Sequence, residues 1–445
     1  MCRCDCKLIV SMVARGGIAI LTARGYITSR NDVFIKREYG VFMRLILVFR
    51  WFLLVGLSFG SVGAAFADVA RVQNIRLGAS EGATRLVLEM SERVDFKVFL
   101  LDSPRRIVVD LPSLDWPEGD ASPVPKGLIS GLRFGQFTAT QSRLVIDLNT
   151  PALVARSFVL DPASGFPHRL VVDLKVSRAQ RFAEQVASDR AAKRAQAPAP
   201  VAPPVISQAP RKPNRKPVVV IDAGHGGVDP GASGRKAREK TVTLAFSKEL
   251  ARQLRNSGKY EVYLTRSRDI YIPLRQRVNV ARKHQADLFI SIHADAIKRK
   301  NVRGMSIYTL SETASDKEAA ALARKENRSD IIVGIDFDDQ PPEVADILID
   351  LAQRETKNLS VKFANLVVKN ARGSTRLLER THRFAGFRVL KAPDVPSVLI
   401  ELGFLTNRSD EKQLLSASWR RKIAKSLVKS VDGFFSSSQQ ARMTP

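Results

Sequence analysis

The sequence predicts an α/β domain, a mostly parallel sheet flanked by helices, preceded by a small all-β sandwich domain. Three observations carry that expectation. From Val218 onward, apolar runs of strand length alternate with amphipathic helical patterns, which is the signature of a sheet covered by helices on both faces. Three of those runs end in polar clusters, VVVIDAGHGG from Val218, DLFISIHAD from Asp287 and PSVLIELGF from Pro396. Between Val69 and about Leu174, apolar and polar residues alternate over short stretches separated by turn signals, with no long helical period.

At 445 residues the chain is long enough for two domains, each with its own core. From Met43 the run MRLILVFRWFLLVGLSFGSVGAAFADVA has a basic start, an apolar middle and the small residues of an A-x-A site ending at Ala67. It reads as a secretory leader over residues 43–67, too short and too interrupted by Arg50 to be a stable membrane span. Met43 therefore reads as the initiator, and residues 1–42 as an over-extended start. All three cysteines, Cys2, Cys4 and Cys6, fall in that first segment, so the exported chain has neither a disulfide scaffold nor a thiolate ligand.

Residues 69–175 form the expected β domain, and they contain an internal echo. RLVLEM from Arg85 matches RLVIDL from Arg143, and RRIVVDLP from Arg105 matches HRLVVDLK from His168. Two copies of a small β unit packed face to face would bury what neither buries alone. Residues 176–195, rich in Ala, Arg and Glu, suit a short exposed helix, and prolines recur from Gln196 to Pro217. The whole stretch 176–217 reads as an Ala/Pro-rich linker that lets two modules search separately while tethered.

Within residues 218–436 the strands are expected at Val218 to Asp222, Tyr260 to Thr265, Asp287 to His293, Met305 to Leu310, Phe387 to Lys391 and Val398 to Gly403. Helices are expected at Thr241 to Asn256, Leu274 to Lys283, Ile347 to Lys369 and Arg408 to Phe434, with a tail at 437–445. In a parallel sheet the carboxyl ends of strands share one edge, so His225, Glu239, His293 and Glu401 can meet there across 176 positions. Each has an ordinary reading alone: a hydrogen-bonded His after a strand, a first-turn Glu favoured by the helix dipole, a strand-end salt bridge. Jointly, two imidazoles and a carboxylate suit Zn²⁺ in a hydrolytic site, which takes three N/O ligands and keeps a position for water. His225, Glu239 and His293 are the candidate ligands, and Glu401 the carboxylate that moves the proton. The glycines around His225 let the backbone pass close to the metal, and Asp222 is a candidate to hold an imidazole N–H.

These motifs carry a resemblance. GHGGVDPGASGRKAREKTVTL from Gly224, SIHADA from Ser291, GMSIYTL from Gly304 and GFRVLKAPDVPSVLIELGFLTN from Gly386, followed by a C-terminal amphipathic helix, resemble the zinc-dependent N-acetylmuramoyl-L-alanine amidases of the cell-division type. Leu402 departs mildly, standing where many relatives have a small or hydroxylated residue. The resemblance implies that His225, Glu239 and His293 bind zinc, that Glu401 is catalytic, and that the substrate is the amide between N-acetylmuramic acid and L-alanine in septal peptidoglycan. The preceding β region resembles the AMIN domain, which implies peptidoglycan binding.

The insertion 311–346 is far longer than an ordinary connection, and Ala319, Leu322 and Ala323 recur in it at helical spacing. The resemblance implies a regulatory helix that covers the metal until a LytM-type activator protein displaces it, with Glu326, or else Glu318, as the resting-state ligand. The formal charge is +27, and residues 1–67 hold nine Lys/Arg against three Asp/Glu, so the rest carries +21. Such a chain is drawn to polyanions, and in the periplasm these are the wall and anionic lipid head groups; nucleic acid is not expected, since no nucleic-acid-binding motif is present. A zinc peptidase acting on another envelope substrate, and a catalytically silent wall-binding regulator, are the competing functions.

Overall fold

The computed structural model describes residues 7–14, 17–24, 69–117, 122–196, 215–335 and 347–443. Residues 1–68 form a unit of their own. In it strands β1 (Lys7–Ala14) and β2 (Gly17–Arg24) pair as an antiparallel hairpin. The expected leader at 43–67 lies outside the described residues. Among the described residues, no helix is long and apolar enough to cross a membrane.

Residues from Val69 begin the second unit with eight strands: β3 (Val72–Ser80), β4 (Ala83–Met90), β5 (Lys97–Leu101), β6 (Arg106–Pro112), β7 (Ile129–Gln136), β8 (Gln141–Leu148), β9 (Ala152–Leu160) and β10 (His168–Val176). They make two four-stranded antiparallel sheets, β3-β4-β10-β9 and β5-β6-β8-β7. Leu86, Leu88 and Val172 of the first share one core with Ile107, Val109, Leu144 and Ile146 of the second, so the sheets face each other as a sandwich. The echo expected as two facing units is arranged differently. The echoed strands β4 and β8 lie in different sheets, as do β6 and β10, so each sheet takes a hairpin from each copy. Interleaving puts the four most apolar strands at the centres of the sheets and leaves the weaker ones at the edges. Helix α1 (Ala179–Gln196) is not merely exposed. It buries Phe182 and Val186 in this core, and Asp189 accepts a hydrogen bond from the Leu100 N–H of edge strand β5 at 2.7 Å.

The second domain runs β11 (Val218–Ala223), α2 (Glu239–Asn256), β12 (Glu261–Leu264), α3 (Leu274–Lys283), β13 (Leu288–His293), β14 (Met305–Leu310), α4 (Lys317–Glu326), α5 (Ser329–Ile332), α6 (Ile347–Ala371), β15 (Leu377–Ala385), β16 (Ser397–Glu401), α7 (Arg408–Leu415) and α8 (Ala417–Met443). Its sheet has the order β12-β11-β13-β16-β14-β15, parallel except that β14 runs against β16. Strand alternation decides which helix covers which face. Val219 and Ile221 pack with Phe246 of α2, Phe363 of α6 and Leu427 of α8, whereas Val218 and Val220 pack with Ala281 of α3 and Leu322 of α4.

Two expected elements differ. Phe387 to Lys391 is not a strand but surrounds a 3₁₀ turn over Arg388–Leu390 that buries Val389 and Leu390 consecutively, a pattern it shares with the fully covered strands β11 and β13. The sheet's outer strand is instead β15, whose mixed pattern LLERTHRFA reflects an edge paired on one side only. The long C-terminal helix breaks at Ser416, which has extended backbone and whose Oγ accepts from the Trp419 N–H at 3.3 Å.

Phe246 is fully buried between α2 and the sheet. Phe246→Ala is expected to destabilise this domain by about 3–5 kcal/mol, read as a lowered denaturant midpoint for unfolding of the C-terminal domain with the N-terminal transition unchanged.

Candidate metal centre

Five functional side chains expected from the sequence converge on one pocket at the strand ends. His293 is the last residue of β13 and Glu401 the last of β16, and the two are direct neighbours in the parallel register. His225 lies two residues beyond β11, and Glu239 opens α2. Glu326 closes α4 and enters the same space. His225 Nε2 lies 3.2 Å from Glu239 Oε2 and 3.3 Å from Glu326 Oε2, while His293 Nδ1 lies 3.1 Å from Glu239 Oε1 and 3.3 Å from Glu326 Oε2. All five residues are buried. Glu318, the other insertion acid considered, is elsewhere: half-exposed at the start of α4, it pairs with Arg299 and Arg383.

Local sequence makes this approach possible. His225 adopts a left-handed φ of 59° in the turn after β11. At Gly231, with φ 65°, a Cβ would lie 2.7 Å from the His225 ring and 2.8 Å from Glu239 Oε2; at Gly224 it would lie 2.5 Å from the His293 ring. Only glycine lets both imidazoles close on the same point. Beneath them Arg277 donates to the carbonyls of Ala223 at 2.8 Å and His225 at 3.0 Å, which holds the turn.

Asp222, a candidate partner for an imidazole, does not touch one. Its carboxylate accepts from Thr265 and Ser291 hydroxyls, each at 2.7 Å, and from Arg277 at 2.9 Å. The imidazole's partner is Asp229, whose Oδ2 accepts from His225 Nδ1 at 2.8 Å. That bond fixes the tautomer and directs Nε2 into the pocket. Sequence reasoning passed over Asp229, although its position four residues after His225, across a glycine turn, was the available signal.

The pocket's electrostatics follow from burial and crowding. Burial alone would depress the pKa of His225, but Glu239, Asp229 and Glu326 together raise it well above the ordinary value. Burial would raise Glu239 and Glu326, yet the two imidazoles hold both below the usual carboxylate range. Glu401 goes the other way. Burial, Glu239, Asp295 and Glu326 all push it well above the ordinary carboxylate value, opposed by the Asp295 N–H that donates to Oε2 at 3.0 Å. The surroundings thus favour the charged form of Glu239 and Glu326 and push Glu401 the opposite way, the kind of separation that acid–base chemistry uses.

The donor set fits a divalent cation. His225, His293 and Glu326 offer ligand atoms within 4.8 Å of one another, and Glu239 stands at hydrogen-bond distance from both rings. Three buried atoms that face this space, His225 Nε2, Glu326 Oε1 and Glu401 Oε1, make no hydrogen bond among the described residues. Buried polar atoms without partners are costly, and a cation drawing on lone pairs would satisfy them.

The strand-edge pocket and its clustered imidazoles and carboxyls define a class, an α/β domain with a buried site able to hold a metal ion. The sequence pattern of N-acetylmuramoyl-L-alanine amidase (Amidase_3) matches residues 219–432, and that of the AMIN domain matches residues 74–174. The chain is 33% identical over 388 residues to the N-acetylmuramoyl-L-alanine amidase AmiC of Escherichia coli O6:H1, covering 83% of this chain and 91% of that relative. It is 36% identical over 397 residues to AmiC of Neisseria meningitidis serogroup B, covering 85% and 94%. Among solved structures, the catalytic domain of the amidase CwlV from Bacillus (Paenibacillus) polymyxa is 27% identical with a TM-score of 0.36, covering 49% of this chain and 98% of that one. The chain belongs to the N-acetylmuramoyl-L-alanine amidase family. It is a peptidoglycan amidase with an AMIN domain ahead of its hydrolase domain.

Removing the partner that orients a ligating imidazole weakens metal binding by about 10–100-fold. Asp229→Asn is therefore expected to release metal at a correspondingly lower chelator concentration in a competition titration. Wild-type retention would show that His225 does not depend on this bond.

Proposed function

We propose that this amidase is exported to the periplasm and cleaves the amide between the lactyl group of N-acetylmuramic acid and L-alanine in septal wall, using zinc held by His225, Glu239 and His293. The observation that carries the reading is the meeting of those three side chains with Glu401 in one buried pocket, each delivered by a different strand or helix end. A zinc ion bound there supplies a polarised scissile carbonyl and a water whose pKa falls to about 7.

Glu401 takes one proton from the attacking water as the new C–O bond forms. It then delivers that proton to the nitrogen of L-alanine as the C–N bond breaks, leaving the lactyl carboxylic acid and the free amine, and passage of the acid's remaining proton to the amine gives carboxylate and ammonium. A buried carboxyl with a raised pKa suits the second step, because it holds a proton until the leaving nitrogen becomes basic. Asp229 and Arg277 keep the His225 turn in place throughout.

Glu326 makes the described conformation a resting one. Its Oε2 lies 3.3 Å from both imidazoles, in the space that water and substrate would need. The reading is autoinhibition by this carboxylate, relieved when a LytM-type activator draws α4 away. The family match and the relatives' activity support the hydrolase reading; the seating of Glu326 supports its restraint.

Glu401→Gln is expected to lower release of L-alanine-headed stem peptides from purified sacculi by about 10²–10⁴-fold while sacculus binding persists. Undiminished release would sink the mechanism, and cuts within the stem would favour a peptidase instead. Glu326→Ala, or deletion of Ser315 to Asp339, is expected to raise release without activator; unchanged basal release would remove the autoinhibition.

A further inference from the structure

The short helix α5 and the residues after it lie between the two domains of the second unit. On the hydrolase side, Asp330 accepts from the Tyr271 hydroxyl at 2.6 Å and from the Leu274 N–H at 3.0 Å. Val333 is fully buried in a small cluster with Val228 and Tyr271 of the hydrolase domain and Val145 of β8. On the AMIN side two arginines reach across. Arg133 donates to the Ile332 carbonyl at 3.1 Å, and Arg143 donates to the carbonyls of Val333 at 3.1 Å and Gly334 at 3.3 Å. These carbonyls end a helix and have no partners within it.

Both guanidinium groups are aimed before they arrive. Asp147 grips Arg133 with bonds of 2.5 and 2.7 Å, and Asp110 grips Arg143 with bonds of 2.6 and 2.8 Å. Arg143 also lies 3.7 Å over the Phe137 ring, which stacks at 6.2 Å on Tyr271. Gly334, at φ 80°, lets the chain come so close that a Cβ there would stand 2.9 Å from Val108. The end of β7 meets the metal-site turn too, where the Val228 N–H donates to the Gln136 carbonyl at 3.2 Å.

We propose that the β7–β8 face of the AMIN domain is a latch for residues 329–335, and that this latch keeps α4 and Glu326 seated. Only Asn327 and Arg328 separate α4 from α5, so a fixed α5 leaves Glu326 little freedom to withdraw. Undocking of the AMIN domain and withdrawal of Glu326 are then one event. The wall-binding module becomes free on its linker when the hydrolase opens. The inference rests on the autoinhibition reading above.

The test uses the full chain with Phe137→Ala, in the turn after β7, and separately Val333→Asp, on the insertion. Hydrogen exchange over Ala319 to Ile335 and basal stem-peptide release are measured, with Glu326→Ala beside them. Both latch variants are expected to speed exchange in α4 and α5 by about tenfold or more, and to raise basal release severalfold. If Glu326→Ala raises release while both latch variants keep wild-type exchange and release, the latch falls and autoinhibition stands. If the latch variants speed exchange but neither they nor Glu326→Ala raise release, the docking stands and autoinhibition falls.

Discussion

The crowding of carboxylates at one dry sheet edge governs this structure. Glu239, Glu326, Glu401, Asp295 and Asp229 are all buried around two imidazoles, and charges of one sign cannot share such a space without positive partners. The protein answers locally in several ways. His225 is driven toward its protonated form, Glu401 toward its neutral one, and Asp295, pushed up to about 6 by burial, is paired with Lys325 from the insertion. A divalent cation relieves the same crowding with one charge centre. A proton and a metal ion would therefore compete for one set of atoms.

That arrangement imposes its demands outward. The imidazoles can converge only across glycines, so Gly224 and Gly231 are fixed by sterics before any question of catalysis. A left-handed histidine needs its carbonyl held, which is the work of Arg277. That arginine in turn needs a buried counter-charge, which is Asp222. Burying a charged pair seldom adds net stability, but removing either partner leaves the other stranded. The Asp222–Arg277 pair thus makes the turn rigid rather than the domain stable.

Much of this was legible in the sequence because it depends on strand ends, and strand ends follow from apolar runs. His225, His293 and Glu401 each lie within two residues of such an end, and Glu239 opens a helix whose period is plain. Three things were not legible. Asp229 acts through a turn whose closure no periodicity encodes. Phe387 to Lys391 and β15 exchange roles, since edge strands carry a diluted pattern while a buried 3₁₀ turn imitates a strand. The interleaving of the AMIN echo was hidden for a related reason, because similarity between two segments shows that they are copies without saying which partners they choose.

The reach of the insertion into the site follows from the direction of β14. β14 opposes β16, with Ser306 beside Glu401 and Tyr308 beside Leu399, so the chain leaves β14 at the edge away from the metal centre. Helix α4 starts from there, capped by Asp316, and packs Ala319, Leu322 and Ala323 against the sheet. Ten residues of helix cover about 15 Å, comparable to the strand it retraces, and deliver the C-terminal residue Glu326 to the pocket. The unpaired carbonyls of a helix C-terminus carry partial negative charge, which favours a cation nearby. Had β14 been parallel, the insertion would have begun at the site and its helix would have run away from it. The reversed direction of β14, which β15 shares, is thus what allows a surface insertion to reach the centre, and what puts its far end against the AMIN domain.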